Sequence, residues 1–201
     1  MLKDPFEGDM TTKNSQEEPI FTLDIISHGT AQTQRLATRL GELLRGSELI
    51  LLNGQLGTGK TTFTQGLAKG LHIDEVISSP TFTLLKEYPG QPLPSSEVQP
   101  GQPRHGLSVG PALYHFDLYR IDDPEEILDL GFEEYFYASG VCVVEWAGKA
   151  DMIWPAENLH IRMKVLSETK RSLLFTATGS RYCELLRQFQ KKPSRIITSI
   201  R

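Results

Sequence analysis

Gly54-Gln55-Leu56-Gly57-Thr58-Gly59-Lys60-Thr61-Thr62 is the stretch whose reading decides the fold. It satisfies G-x-x-x-x-G-K-[ST] at every fixed position. The apolar run Leu49-Ile50-Leu51-Leu52 comes directly before it, and a helix-compatible segment, Thr61 to Lys69, comes after. A buried strand, a glycine turn and a helix start are what phosphate binding requires. Glycines let the backbone curl until successive N–H groups point inward at phosphate oxygens. The helix N-terminus adds unpaired donors and about half a positive charge. The cradle expected here is Gln55, Leu56, Gly57, Thr58, Gly59, Lys60, Thr61 and Thr62, holding ATP. Lys60 would reach the outer phosphates, and the Thr61 hydroxyl would ligate Mg2+.

Around this loop the pattern alternates strand and helix. Ile20 to Ile26 alternates weakly, as a strand does. Thr30 to Arg45 carries Leu36, Leu40, Leu43 and Leu44 at helical spacing, with Gly46 in the place of a C-cap. Ser78 to Pro80 indicates a loop with a strand beyond it, and Ala112 to Tyr119 resumes as a strand. Asp123-Pro124-Glu125-Glu126 opens a helix with an N-cap acid, Pro at the first helical position and Glu at N3. A short helix is expected over Glu133 to Ala138. Val141 to Val144 is a continuous apolar run suited to a central parallel strand. Leu159 to Val165 alternates as a half-exposed antiparallel strand, Ser172 to Thr178 can pair with it, and Arg181 to Gln190 forms a last helix. The sum is an α/β fold resembling P-loop NTPases: three layers, a mixed and mostly parallel central sheet, and antiparallel C-terminal strands.

Residues 20–190 form a single ATPase domain in this reading. Residues 1–19 are polar and aperiodic, and are expected to be a disordered tail. Residues 89–111 are rich in Pro, Gly, Ser and Gln, and read as a flexible insertion. Residues 191–201 form a basic tail. A net charge of −4 argues against a surface built as a whole to grip nucleic acid. No apolar run is long enough for a membrane span, and the acidic N-terminus lacks a signal core. Two distant cysteines, Cys142 and Cys183, fit reduced structural thiols and a cytoplasmic location.

A phosphate loop also needs a second acid for Mg2+ at the end of a neighbouring strand. Glu145 ends the Val141 run and is assigned to the metal. Asp117 ends the run Leu113 to Phe116 and is left to orient or activate water. Ser79-Pro80-Thr81-Phe82-Thr83 puts small hydroxyls where a switch-like loop would sense the γ-phosphate. Thr81 is the residue singled out there, and with Lys60 and Asp117 it completes the expected catalytic set. His115 has a weaker case, because a lone His on a strand is more often structural. Trp146 is read as packing, with stacking on a base left open.

Taken in order, Gly-x-Leu-Gly-x-Gly-Lys-Thr-Thr (54–62), Ser-Pro-Thr-Phe-Thr-Leu (79–84), His-Phe-Asp-Leu-Tyr-Arg (115–120), Asp-Pro-Glu-Glu (123–126) and Val-Glu-Trp (144–146) resemble the bacterial TsaE family, formerly YjeE. The phosphate loop alone is not specific, whereas the set of five is. The resemblance spans about Ile26 to Gly179. It implies an accessory ATPase of tRNA threonylcarbamoyladenosine biosynthesis, acting with TsaD and TsaB and meeting tRNA through that complex. It implies phosphate and Mg2+ roles for Lys60 and Thr61, the second Mg2+ role for Glu145, a hydrolytic role for Asp117 and a switch-like position for Thr81. It also implies nucleotide contacts near residues 27–33. Gln55 and Thr58 depart from the family's usual Asp and Ala, Ala147 stands where Pro or Ser is common, and the insertion is longer than typical.

No arginine is placed by sequence as a finger in cis, and enzymes without that charge are slower by about 10³ to 10⁵. Slow hydrolysis by the chain alone is therefore expected. The rival readings are a small-molecule kinase, for which the insertion supplies only Arg104, and a binding module that leaves ATP intact.

Overall fold

The computed structural model describes residues 19–93, 109–123 and 125–191. Of the tails expected at 1–19 and 191–201 and the insertion expected at 89–111, residues 1–18, 192–201 and 94–108 lie outside the described residues. Just inside these limits, the Pro19 carbonyl accepts hydrogen bonds from Gly179 N (3.0 Å) and Cys183 Sγ (3.2 Å). A bridge from Pro92 to Val109 brings the ends of the insertion together.

In chain order the elements are β1 (Ile20–Ser27), α1 (Thr30–Gly41), β2 (Leu49–Asn53), α2 (Lys60–Gly70), β3 (Leu85–Tyr88), β4 (Leu113–Asp117), α3 (Glu125–Asp129), α4 (Glu133–Phe136), β5 (Val141–Glu145), β6 (Asn158–Val165), β7 (Arg171–Thr178) and α5 (Ser180–Lys191). A 3₁₀ turn covers Ala147–Lys149. The strands make one seven-stranded sheet in the order β1-β7-β6-β2-β5-β4-β3. Pairing is parallel through β6-β2-β5-β4 and antiparallel at both edges. This is the mixed, P-loop NTPase-like architecture read from the sequence. The strand at Leu159–Val165 is antiparallel to β7, as expected, but parallel to β2 on its other side.

β2 and β5 are apolar on both faces because both faces are covered. Ile50, Leu52, Val141 and Val143 pack with α1, α2 and α5, around Phe63, Leu67, Phe175 and Phe189. Leu49, Leu51, Cys142 and Val144 pack on the opposite side with Phe116, Ile127, Phe132 and Phe136. Cys142 is wholly buried, and burial pushes its thiol well above the usual range, so it is an inert core residue.

The α1 helix ends at Gly41, short of the expected Arg45, and Gly46 is not its C-cap. The chain tightens instead: Leu43 N and Leu44 N donate to Leu40 O and Gly41 O, and Leu44 turns into the core. Gly46 (φ +110°) serves the entry to β2, where the buried Glu48 carboxylate takes Arg45 N, Gly46 N and the Arg181 guanidinium. Helix periodicity does not reveal this, because the carboxylate that organises the turn comes after it.

Helices α1 and α2 touch through glycines. A Cβ on Gly66 would lie 2.4 Å from Gln34 O and 2.8 Å from the Ala37 Cβ. Helix propensity alone would favour Gly66→Ala by about 1 kcal/mol. Overpacking against a backbone carbonyl costs roughly 1–3 kcal/mol or more and wins. Gly66→Ala should therefore lower the thermal unfolding midpoint, by roughly 2–8 °C for a chain of this size. A raised midpoint would mean the two helices are not this close.

Candidate nucleotide site

β2 delivers the glycine loop and α2 starts at Lys60. Gly57 (φ +78°) and Gly59 (φ +99°) hold left-handed conformations. A Cβ on Gly57 would meet nothing within 4 Å, so backbone conformation alone demands glycine there. Thr58, a variable position of the motif, is buried, and its hydroxyl donates to Gln55 O at 2.9 Å. The loop is thus closed on itself at the N-terminus of α2, with Gln55, Leu56 and Thr62 around its rim.

The Lys60 side chain folds back over the loop. Its Nζ donates to Gly54 O (2.8 Å) and Gln55 O (3.2 Å) and sits 3.6 Å above the Trp146 ring. Burial lowers the pKa of this ammonium, and the charges of Glu145 and Asp117 oppose that shift. Lys60 is therefore a desolvated cation with only weak neutral acceptors, suited to exchange them for phosphate oxygens.

The two acids stand side by side. β4 and β5 are parallel neighbours, and their register pairs Asp117 with Glu145 at the carboxyl ends of both strands. Val141 and Val143 face the α1–α2 side, so the two-residue period puts Glu145 on that side too. There its Oε2 accepts from Thr61 Oγ1 at 3.1 Å. Its Oε1 lies 2.9 Å from His115 Nε2. The fold thus joins Thr61 to Glu145, 84 positions later.

The hydroxyl loop docks on the other acid. Asp117 Oδ2 accepts from Ser79 Oγ (2.5 Å) and Thr81 Oγ1 (2.7 Å), and Oδ1 accepts from Tyr119 N (2.9 Å). Phe82, beside Thr81, is largely exposed and lies under the Arg120 guanidinium, 4.1 Å from the ring centroid. Lys60, Thr61, Thr81, Asp117 and Glu145 are therefore gathered at one end of the sheet.

Three features escape sequence reasoning. Trp146 has φ +63°, unusual for a bulky residue, and the chain turns sharply directly after Glu145. Its ring contacts both the Lys60 ammonium and Tyr119, whose ring centroid is 5.0 Å away. Asn53 ties strand ends together: its Oδ1 accepts from Gly148 N (2.6 Å), and its Nδ2 donates to His160 Nε2 (2.8 Å). The Asn53 NH2 can only donate, so His160 Nε2 is the acceptor, and burial, with Arg162, lowers the His160 pKa. Arg171, on β7, braces the loop by donating to Thr58 O (3.2 Å) and Gly57 O (3.4 Å). No local signal marks Arg171, because 113 residues separate it from Thr58.

A cleft of about 560 Å³ opens beside the loop, lined by Asn53, Gly54, Gln55, Thr58, Trp146 and residues 162–165. Among the described residues no group of three or more His, Cys, Asp and Glu could hold a metal ion. One hydroxyl and one carboxylate suit Mg2+ instead, which takes few protein ligands and completes its shell with waters and phosphates. Among the described residues no helix is long and apolar enough to cross a membrane.

The fold and this strand–loop–helix centre define an α/β protein of the P-loop NTPase-like class. The profile described as "Threonylcarbamoyl adenosine biosynthesis protein TsaE" matches residues 27–173, and the chain belongs to the TsaE family. A Bacillus subtilis (strain 168) relative, "tRNA threonylcarbamoyladenosine biosynthesis protein TsaE", is 40% identical over 158 residues, covering 77% of this chain and 87% of its own. A Treponema pallidum relative of the same name is 36% identical over 148 residues, covering 74% and 96%. The crystal structure of Bacillus subtilis YdiB superposes with a TM-score of 0.67 at 32% identity, covering 86% of this chain and 97% of that one.

Proposed function

We propose that the chain binds ATP with Mg2+ and hydrolyses it slowly to ADP and phosphate, as an accessory protein acting with TsaD and TsaB in threonylcarbamoyladenosine modification of tRNAs that read codons beginning with A. The observation that carries this reading is the 3.1 Å contact between Thr61 Oγ1 and Glu145 Oε2 beside the glycine loop, with Asp117 on the adjacent strand. A hydroxyl and a carboxylate in contact are a ready pair for one divalent cation.

In this mechanism the loop N–H groups and Lys60 neutralise the β- and γ-phosphate oxygens, and positioning supplies most of the catalysis. Bound Mg2+ would supply Lewis-acid charge neutralisation on the same oxygens. Asp117 aligns the attacking water. Its Oδ2 is shared with Ser79 and Thr81, so a shift of that loop would change the water-facing oxygen and couple loop position to turnover. Arg171, which braces the loop, spends its donors on main-chain carbonyls. That supports slow basal hydrolysis and a partner that completes the site.

The test is single-turnover and steady-state ADP formation, alone and with TsaD and TsaB. Slow turnover alone, raised when both partners are added, is expected. Hydrolysis at about ten per second or faster by the chain alone is typical of a self-sufficient enzyme and would sink the partner requirement. ATP left intact under all conditions would establish a binding module, and ADP formed only with a small-molecule acceptor would establish a kinase.

A further inference from the structure

His115 is fully buried in β4, two residues before Asp117. The register pairs His115 with Val143, so its ring meets Glu145 diagonally, across the parallel β4–β5 ladder. The Glu145 carboxylate then has one donor on each oxygen: His115 Nε2 on Oε1 at 2.9 Å and Thr61 Oγ1 on Oε2 at 3.1 Å. Among the described residues, the other ring nitrogen, His115 Nδ1, is buried and has no hydrogen-bond partner. A proton there would be a buried donor with no acceptor, which is expensive, whereas a bare lone pair is tolerated better. The hydrogen-bond geometry therefore puts a proton on Nε2, facing Glu145 Oε1. An apolar side chain would fill the same space but would leave Oε1 bare in a wall where Glu145 is only 2% exposed.

We infer that His115 is a positioning residue for the cation: by donating Nε2–H to Glu145 Oε1 it fixes the carboxylate rotation that turns Oε2 toward Thr61. This rests on the Mg2+ reading above. Carboxylate ligands are commonly held by such outer hydrogen bonds, and removing one weakens metal binding by about 10- to 100-fold. Glutamine can return an N–H near the position of Nε2. Asparagine is too short to do so.

The experiment compares the full-length chain with His115→Gln and His115→Asn. Mn2+ binding in the presence of saturating ADP is followed by electron paramagnetic resonance, and ADP affinity is measured separately in EDTA. His115→Asn should weaken Mn2+ binding by about 10- to 100-fold. His115→Gln should stay close to the parent, with EDTA-measured ADP affinity unchanged in both. If Asn lowers only the unfolding midpoint and leaves Mn2+ affinity alone, or if Gln loses as much affinity as Asn, the inference fails. A parent that binds ADP but no Mn2+, or that keeps its Mn2+ affinity as Glu145→Gln, overturns the underlying metal reading instead. Should neither variant fold, nitrogen-15 NMR of the parent decides: a proton on His115 Nε2 is expected, and a proton on Nδ1 overturns the assignment.

Discussion

Lys60→Ala should reduce kcat/KM for ATP hydrolysis by about 10³-fold or more, with a parallel loss of nucleotide affinity. Removing one preorganised donor at a site of developing charge costs about 10² to 10³ in rate. Lys60 is more than a neutral donor, because it carries a full charge that burial has already stripped of water. Its present partners, Gly54 O and Gln55 O, are uncharged, so triphosphate oxygens would be the stronger acceptors. The effect should appear in both KM and kcat, since the β- and γ-oxygens are charged in the ground state and more so at the transition state. Isothermal titration with ATP and a steady-state assay would separate the two. Activity within about tenfold of the parent would place the phosphates somewhere other than this loop.

Asp117→Asn tests the opposite case, a group used in the reaction and not in binding. The amide is nearly isosteric: with its carbonyl oxygen at the Oδ1 position it still accepts from Tyr119 N, while its NH2 takes the Oδ2 position and donates to the Ser79 or Thr81 hydroxyl oxygen instead of accepting from it. What it loses is the negative charge that aligns and activates water. General-base contributions of this kind are about 10² to 10⁴ in kcat. ATP affinity should change little, because nothing on this side chain is assigned to the phosphates. A large fall in affinity with kcat preserved would instead make Asp117 a ligand-binding acid.

The two acids illustrate how much of the site can be read from sequence. Each ends an apolar run, so each was placed at a strand terminus by burial periodicity alone. Their adjacency depends on β4 pairing beside β5 in parallel register, which local pattern does not encode. Thr81 shows the same limit. Its hydroxyl-rich loop was legible, but its direct bond to Asp117, 36 residues away, came only with the fold. Helical spacing carries α1 past its observed end, because a buried carboxylate, Glu48, takes the N–H groups of Arg45 and Gly46. His115 looked like an ordinary strand histidine, because the partner that gives it a purpose lies on another strand.

By itself the sequence determined the glycine loop between a strand and a helix, the alternation of strands and helices, and the family. These depend on short-range facts: glycine's access to positive φ, the periods of buried faces, and motif order along the chain. Only the tertiary structure decided which strands neighbour which, the brace of Arg171 on the loop, the left-handed turn at Trp146 and the hydrogen bond from His115 to Glu145. Those contacts join residues tens of positions apart, and they exist because packing and backbone pairing bring strand ends together.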